Sequence, residues 1–121
     1  MSQTPATATI RRLKTRPEFL AVADARRKAA VHGLVLQGRP RGDGQSAIGI
    51  GFTATRKVGG SVVRNRARRR LREAARAVLA TRGLAGWDYV AIARDATGER
   101  PFPDLIADFE RALALLAKEG A

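Results

Sequence analysis

Six arginines fall within nine residues in the segment Arg64-Asn65-Arg66-Ala67-Arg68-Arg69-Arg70-Leu71-Arg72. A guanidinium is planar and permanently charged, with five donors in a fixed fork that suits phosphate oxygens and can also stack on bases. Packed at this density, the charges repel one another unless solvent or a polyanion surrounds them. The chemistry they point to is nucleic-acid binding. Glu73 is the one acid between Arg56 and Arg76, against nine basic residues. Ion pairs at i,i+4 cannot neutralise such an excess, so the solvated face of an ordinary Lys/Glu mixture does not fit.

Other chemistries find little support. Nucleophilic catalysis needs Cys or Ser beside a base, and the chain has no cysteine, a single His32 and no G-x-S-x-G. Without cysteine, disulfides and Cys-ligated zinc are excluded as well. Two-metal phosphodiester cleavage needs converging carboxylates. Seven of the eleven acids lie from Asp88 onward, at spacings that do not converge on a strand end. Gly59-Gly60-Ser61 ahead of the arginine segment is a weak anion-binding signal that lacks Walker spacing. No catalytic residue and no protein-held metal site is expected.

At about 100° per residue, Ala67, Leu71, Ala74 and Val78 form one narrow apolar stripe. Asn65, Arg68, Arg69, Arg72 and Arg76 face away from it, and Arg66 and Arg70 flank it. The pattern predicts a helix that docks by a small-residue seam and presents a cationic outer surface. It fades near Thr81, with Ser61 as a plausible N-cap. Upstream, Ala47 to Thr55 alternates as a half-buried strand, with Ile48, Ile50 and Phe52 on one face and Gly49, Gly51 and Thr53 on the other. The glycines leave that second face bare, open to a helix or a ligand backbone. Strand periodicity before the arginine helix argues against a helix-turn-helix.

The flanking chain supplies the remaining elements. Thr15, Pro17 and Glu18 make a capping-box start to a first helix predicted to run to about Ala30, with Phe19, Val22 and Ala23 on one side. Leu34 to Gln37 reads as a short strand, Gly38 to Gly44 as a loop, and Trp87 to Arg94 as another alternating strand. Pro101 and Pro103 open a last helix with a core stripe of Leu105, Phe109, Ala112, Leu113 and Leu116. Its solvated side carries Asp104, Asp108, Glu110 and Lys118. The order is helix, two or three strands, helix, strand, helix: an α+β class with helices packed on a sheet. Residues 1–9 read as a flexible tail and 10–121 as a single nucleic-acid-binding domain.

At 121 residues and net charge +12, the positive charge is concentrated in the first two-thirds of the chain. No apolar run reaches membrane-spanning length and the first nine residues lack a secretory core, so a cytoplasmic protein with no membrane partner is expected.

Arg64-Asn65-Arg66, followed by Arg68-Arg69 and Arg72, resembles the signature of the bacterial ribonuclease P protein subunit. Arg11-Arg12-Leu13 with Pro17-Glu18-Phe19, the run Gly51 to Gly59, and Asp88 to Arg94 are similar to that family's opening, pre-signature strand and last strand. The resemblance spans roughly residues 11 to 118. It implies a small two-layer α+β sandwich, helices packed on a mixed β-sheet in the order α-β-β-β-α-β-α with an uncommon left-handed β-α-β crossover, and a role in the endoribonuclease that removes the 5′ leader from precursor tRNA. Catalysis would reside in the RNA subunit, with Mg2+ held mainly by that RNA. The chain would be the accessory protein, with the catalytic RNA and precursor tRNA as partners and no protein partner required.

Carried over by position, Arg64, Asn65, Arg66, Arg68, Arg69 and Arg72 would meet the catalytic RNA. Phe19, Arg56, Lys57 and Arg64 would line the cleft for the single-stranded leader. Phe19 is either a stacking plate there or a core residue of the first helix, and Arg94 is either an outlying RNA contact or a strand-end charge. The cleft departs from the family pattern at Ala23 and Gln37, where aromatics are common, which leaves more of the affinity to charge. A structural RNA-binding protein of the ribosome is the main alternative and a DNA-binding regulator the next.

Overall fold

Residues that alternate with period two build the sheet, and three amphipathic helices cover it. A computed structural model describes residues 9–120, without the side chains of residues 119 and 120. The order is β1 (Ile10–Arg12), α1 (Arg16–Asp24), β2 (Lys28–Val31), β3 (Leu34–Pro40), β4 (Ile48–Thr53), α2 (Ser61–Arg82), β5 (Trp87–Ala93) and α3 (Phe102–Gly120). The five strands lie in the order β1-β4-β5-β3-β2. β1 with β4 and β4 with β5 run parallel, whereas β3 runs antiparallel to both β5 and β2. β4, α2 and β5 thus form a parallel β-α-β unit in which the arginine helix is the crossover. From α1 onward the order is the α-β-β-β-α-β-α that the resemblance implies, with β1 added in front. Among the described residues no helix is long and apolar enough to cross a membrane.

The main core lies between one face of the sheet and the pair α2–α3. Leu34, Leu36, Ile48, Ile50, Tyr89 and Ala91 meet Leu71, Val78, Leu105 and Phe109 there. The opposite face carries a smaller cluster in which Leu13 and Val22 pack on Val90, joined by the half-buried Phe19 and Ile92. β5 is buried nearly throughout because it contributes to both clusters.

α1 ends six residues earlier than its composition suggests. Arg26 adopts φ +59°, which turns the chain out of the helix, and Lys28–Val31 pairs with β3 instead. Alanine, arginine and lysine are good helix formers, but burying Ala29 and Val31 on the sheet outweighs propensity. β3 runs on to Pro40, through the first part of the expected loop. Of the stretch 1–9 read as a tail, only Thr9 is described. Its carbonyl accepts from the Ile48 N–H at 2.8 Å, so sheet pairing begins there.

Candidate nucleic-acid interface

The arginine helix docks through its small-residue seam. Ala67, Leu71, Ala74 and Val78 are buried as the periodicity requires, and Ala75 and Leu79 widen the buried stripe. With the seam fixed, Asn65, Arg66 and Arg69 are exposed and Arg64, Arg68 and Arg72 half-buried. Asn65, Arg66, Arg68, Arg69 and Arg72 come together around one open groove of about 550 Å3, bordered also by Val62, which is 80% exposed. Arg64 lies outside that groove. The Asn65 side-chain oxygen accepts from Arg68, which fixes that guanidinium over the helix surface. None of Arg64, Arg66, Arg68, Arg69 and Arg72 has a salt-bridge partner among the described residues. Arg70 is different: it donates to the Arg100 carbonyl and ties α2 to the approach to α3.

The start of α2 adds to the positive field. Gly60, not Ser61, is the N-cap, and the first turn holds no acid. The helix macrodipole places partial positive charge at that end, where cations are destabilising and anions favoured. The turn before it carries the exposed Arg56 and Lys57 and is closed by the Val58 N–H donating to the Thr55 carbonyl at 3.0 Å. Gly59 follows at φ +152°, a conformation L side chains rarely adopt, and a β-carbon there would lie 2.9 Å from Val63.

The bare glycine face is filled from α1. A β-carbon on Gly51 would sit 2.5 Å from the edge of the Phe19 ring, so glycine is what lets the ring lie against β4. Phe19 is half-buried, packed on the smaller cluster along one side and open on the other. Packing and partial accessibility therefore coexist at this residue. Thr53 follows on the same face, and beyond it the chain enters the Arg56–Lys57 turn. Phe19, Arg56 and Lys57 are thus arranged along one strand face and its exit towards the start of α2. Ala23 is exposed on α1 and Gln37 half-buried on β3.

A family model described as Ribonuclease P matches residues 8–117. The chain belongs to the ribonuclease P protein family. The ribonuclease P protein component of Gluconacetobacter diazotrophicus is 52% identical over 110 residues, covering 91% of this chain and 94% of that one. The corresponding component of Caulobacter vibrioides is 47% identical over 120 residues, covering 98% of this chain and 79% of that one. Among solved structures, the RNase P protein from Thermotoga maritima is similar at TM-score 0.68 and 25% identity, over 88% of this chain and 96% of that one. The Staphylococcus aureus RNase P protein shares the fold at TM-score 0.71 and 21% identity, over 86% and 93%. Membership brings the function of a protein component of ribonuclease P, an enzyme of tRNA processing. It favours neither a ribosomal component nor a DNA-binding regulator.

For a ribonuclease P protein the placement of the acids matters, because it decides whether the chain itself presents a metal site. Among the described residues no three His, Cys, Asp or Glu side chains come together to hold a metal ion. Asp88 is buried on the α1 face and bound by Arg41, whose Nη1 donates to its Oδ1 at 2.8 Å and to the Trp87 carbonyl at 3.3 Å. Asp43 accepts from Arg41 Nε at 2.9 Å. The Glu18 carboxylate accepts from the backbone N–H groups of Thr15 and Lys14, at 3.0 and 2.8 Å, and from Arg11 at 3.1 Å. These bonds, the Thr15 one foremost, hold its pKa down to about 2.

Asp108 corrects an expectation. Its carboxylate is buried and takes Arg100 Nε at 2.7 Å and Nη2 at 3.1 Å, rather than facing solvent. A β-carbon on Gly33 would come within 2.6 Å of that carboxylate, so the glycine of the β2–β3 turn makes room for the pair. The signal was present in the sequence: Asp108 lies three residues after Leu105 and four before Ala112, on the buried stripe. Arg94 is exposed, and its Nη1 donates to the Val31 carbonyl at 2.8 Å, a bond that joins the end of β5 to β2.

Proposed function

We propose that this chain binds the catalytic RNA of ribonuclease P through the outer face of α2 and holds the 5′ leader of precursor tRNA along the α1 face of the sheet. The observation that carries this reading is the seam of α2. It docks the helix firmly and leaves Arg64, Asn65, Arg66, Arg68, Arg69 and Arg72 on a surface where, among the described residues, none of these arginines has a carboxylate partner. Phosphates supply the missing counter-charge, and counterion release makes the affinity fall with salt.

On the other face, Phe19 offers a ring for one leader base while Arg56, Lys57 and Arg64 follow the phosphate backbone, as single-strand binding surfaces combine stacking with charge. With Ala23 and Gln37 in place of further aromatics, charge carries the larger share. The chain is an accessory subunit of the endoribonuclease. Hydrolysis and the Mg2+ ions belong to the catalytic RNA, a reading supported by the capture of Glu18, Asp43, Asp88 and Asp108 by arginines or backbone amides and by the lack of a three-residue metal cluster among the described residues. A cytoplasmic location follows from that partnership.

The test is the salt dependence of RNA binding. Replacing Arg68 and Arg69 together by Ala should weaken binding to the catalytic RNA and flatten the log–log salt slope by roughly 0.7–0.9 for each phosphate no longer neutralised. Neither side chain is buried, so the thermal midpoint should stay put. Unchanged affinity with an unchanged slope would remove α2 from the interface.

A further inference from the structure

A second feature of the α2 side is apolar. Parallel pairing sets Ile10 beside Ile48 and Arg12 beside Ile50, so Ile10 and Arg12 of the edge strand point towards α2. From the helix, Arg72, Ala75, Arg76 and Leu79 face them at i, i+3, i+4 and i+7. Between strand and helix lies a groove of about 250 Å3, floored by Ile50, Phe52, Ala75 and Leu79. The Arg12 guanidinium carbon sits 5.9 Å from the centre of the Phe52 ring. Among the described residues, three guanidiniums, Arg12, Arg72 and Arg76, line the groove without any carboxylate, and the Nε of Arg72 is buried with no hydrogen-bond partner.

An apolar floor with a purely cationic rim fits a ligand that is flat and apolar on its faces, polar at its edge and attached to negative charge. That is a nucleotide. The volume lies below the roughly 300–1,000 Å3 of sites that enclose drug-sized ligands and suits one ring system. A base within a duplex is stacked on both sides and cannot enter, so the nucleotide must be unpaired.

We infer that the groove between β1 and α2 receives one unpaired base of the catalytic RNA. The base stacks on the Arg12 guanidinium above Phe52, and its flanking phosphates meet Arg72 and Arg76. This rests on the binding of that RNA proposed above. It adds a pocket for a single base to what is otherwise a phosphate-binding surface.

Arg12→Lys keeps the charge but loses the planar stacking surface, and Phe52→Leu keeps the floor apolar but loses the ring. Both should be titrated against the catalytic RNA, with chemical probing of base reactivity in the complex. A base protected by the wild-type protein should regain reactivity in both variants. Affinity should fall roughly 5- to 150-fold, the range for one stacked base, while the salt slope stays unchanged because no cation is removed. Arg12 is exposed, so Arg12→Lys remains decisive even if Phe52→Leu fails to fold.

Wild-type affinity and an unchanged protection pattern in Arg12→Lys would overturn the inference. So would a complex in which every unpaired base stays as reactive as in free RNA, the result expected if the groove takes an apolar peptide. The Arg68→Ala/Arg69→Ala protein in the same titration separates the two readings. Weakened binding there beside normal binding in the groove variants sinks the base pocket alone, whereas normal binding in all of these variants sinks both.

Discussion

Glu18 shows how much one side chain near the cleft is asked to do. Its carboxylate closes the first turn of α1 and pairs with Arg11, and thereby sets the direction in which the helix carries Phe19 across β4. Its pKa in the fold, about 2, lies below the ordinary 4.5. A depressed carboxylate pKa contributes stability that is fully present above the unfolded value and is lost as pH falls through the folded one. Glu18→Gln should therefore lower stability by on the order of 1 kcal/mol at neutral pH, the scale of a lost helix cap. The difference from wild type should shrink as pH drops from 4.5 towards 2. Denaturant midpoints measured across that range check it, and a difference independent of pH would contradict it. The capping box was readable because Thr15, Pro17 and Glu18 are adjacent in sequence. The Arg41–Asp88 pair was not, since Asp88 alternates within an apolar strand and its partner arrives from a loop forty-seven positions away.

Among the elements, α2 was the most fully written in sequence, because its periodicity is long and its two faces differ in kind. The four seam residues named from spacing are all buried, and Arg70 alone among the clustered arginines has been drawn into a backbone contact between elements. Lys28–Val31 was obscured for the opposite reason. Four residues are too few to establish a period, and helix-forming residue types pointed the other way until β3 supplied a partner. The division of labour within α2 makes a direct prediction. Leu71 is fully buried, so Leu71→Ala should cost about 2–5 kcal/mol of stability. The folded fraction should bind the catalytic RNA with the wild-type salt slope, because no cation has been removed. Thermal unfolding together with binding at two salt concentrations separates this from an arginine substitution, which should do the reverse.

Across the whole molecule the sheet divides the work: α2 and the larger core lie on one side, α1 and the smaller cluster on the other. The two sides should then answer to different RNAs. A change on the α2 face should affect precursor and mature tRNA alike, since it acts through assembly with the catalytic RNA. A change on the α1 face should affect the precursor selectively, because only the precursor carries a leader. Phe19→Ala tests this with enzyme reconstituted from the protein and the catalytic RNA. The expected loss is about 1–3 kcal/mol in precursor affinity for one stacked base, with mature tRNA unaffected. Because Phe19 also packs on the smaller cluster, stability should fall as well, by less than the roughly 3–5 kcal/mol of a fully buried phenylalanine. Two further variants separate packing from direct binding. In Gly51→Ala the new methyl group occupies the place of the ring edge, so the ring must shift and precursor binding should weaken with every cleft side chain still present. Ala23 is exposed on the same helix, and Ala23→Phe should tighten precursor binding by adding a second ring without disturbing the core. If all three variants change precursor and mature tRNA equally, the leader does not lie on the α1 face, and the α2 side of the sheet keeps its assignment to the catalytic RNA.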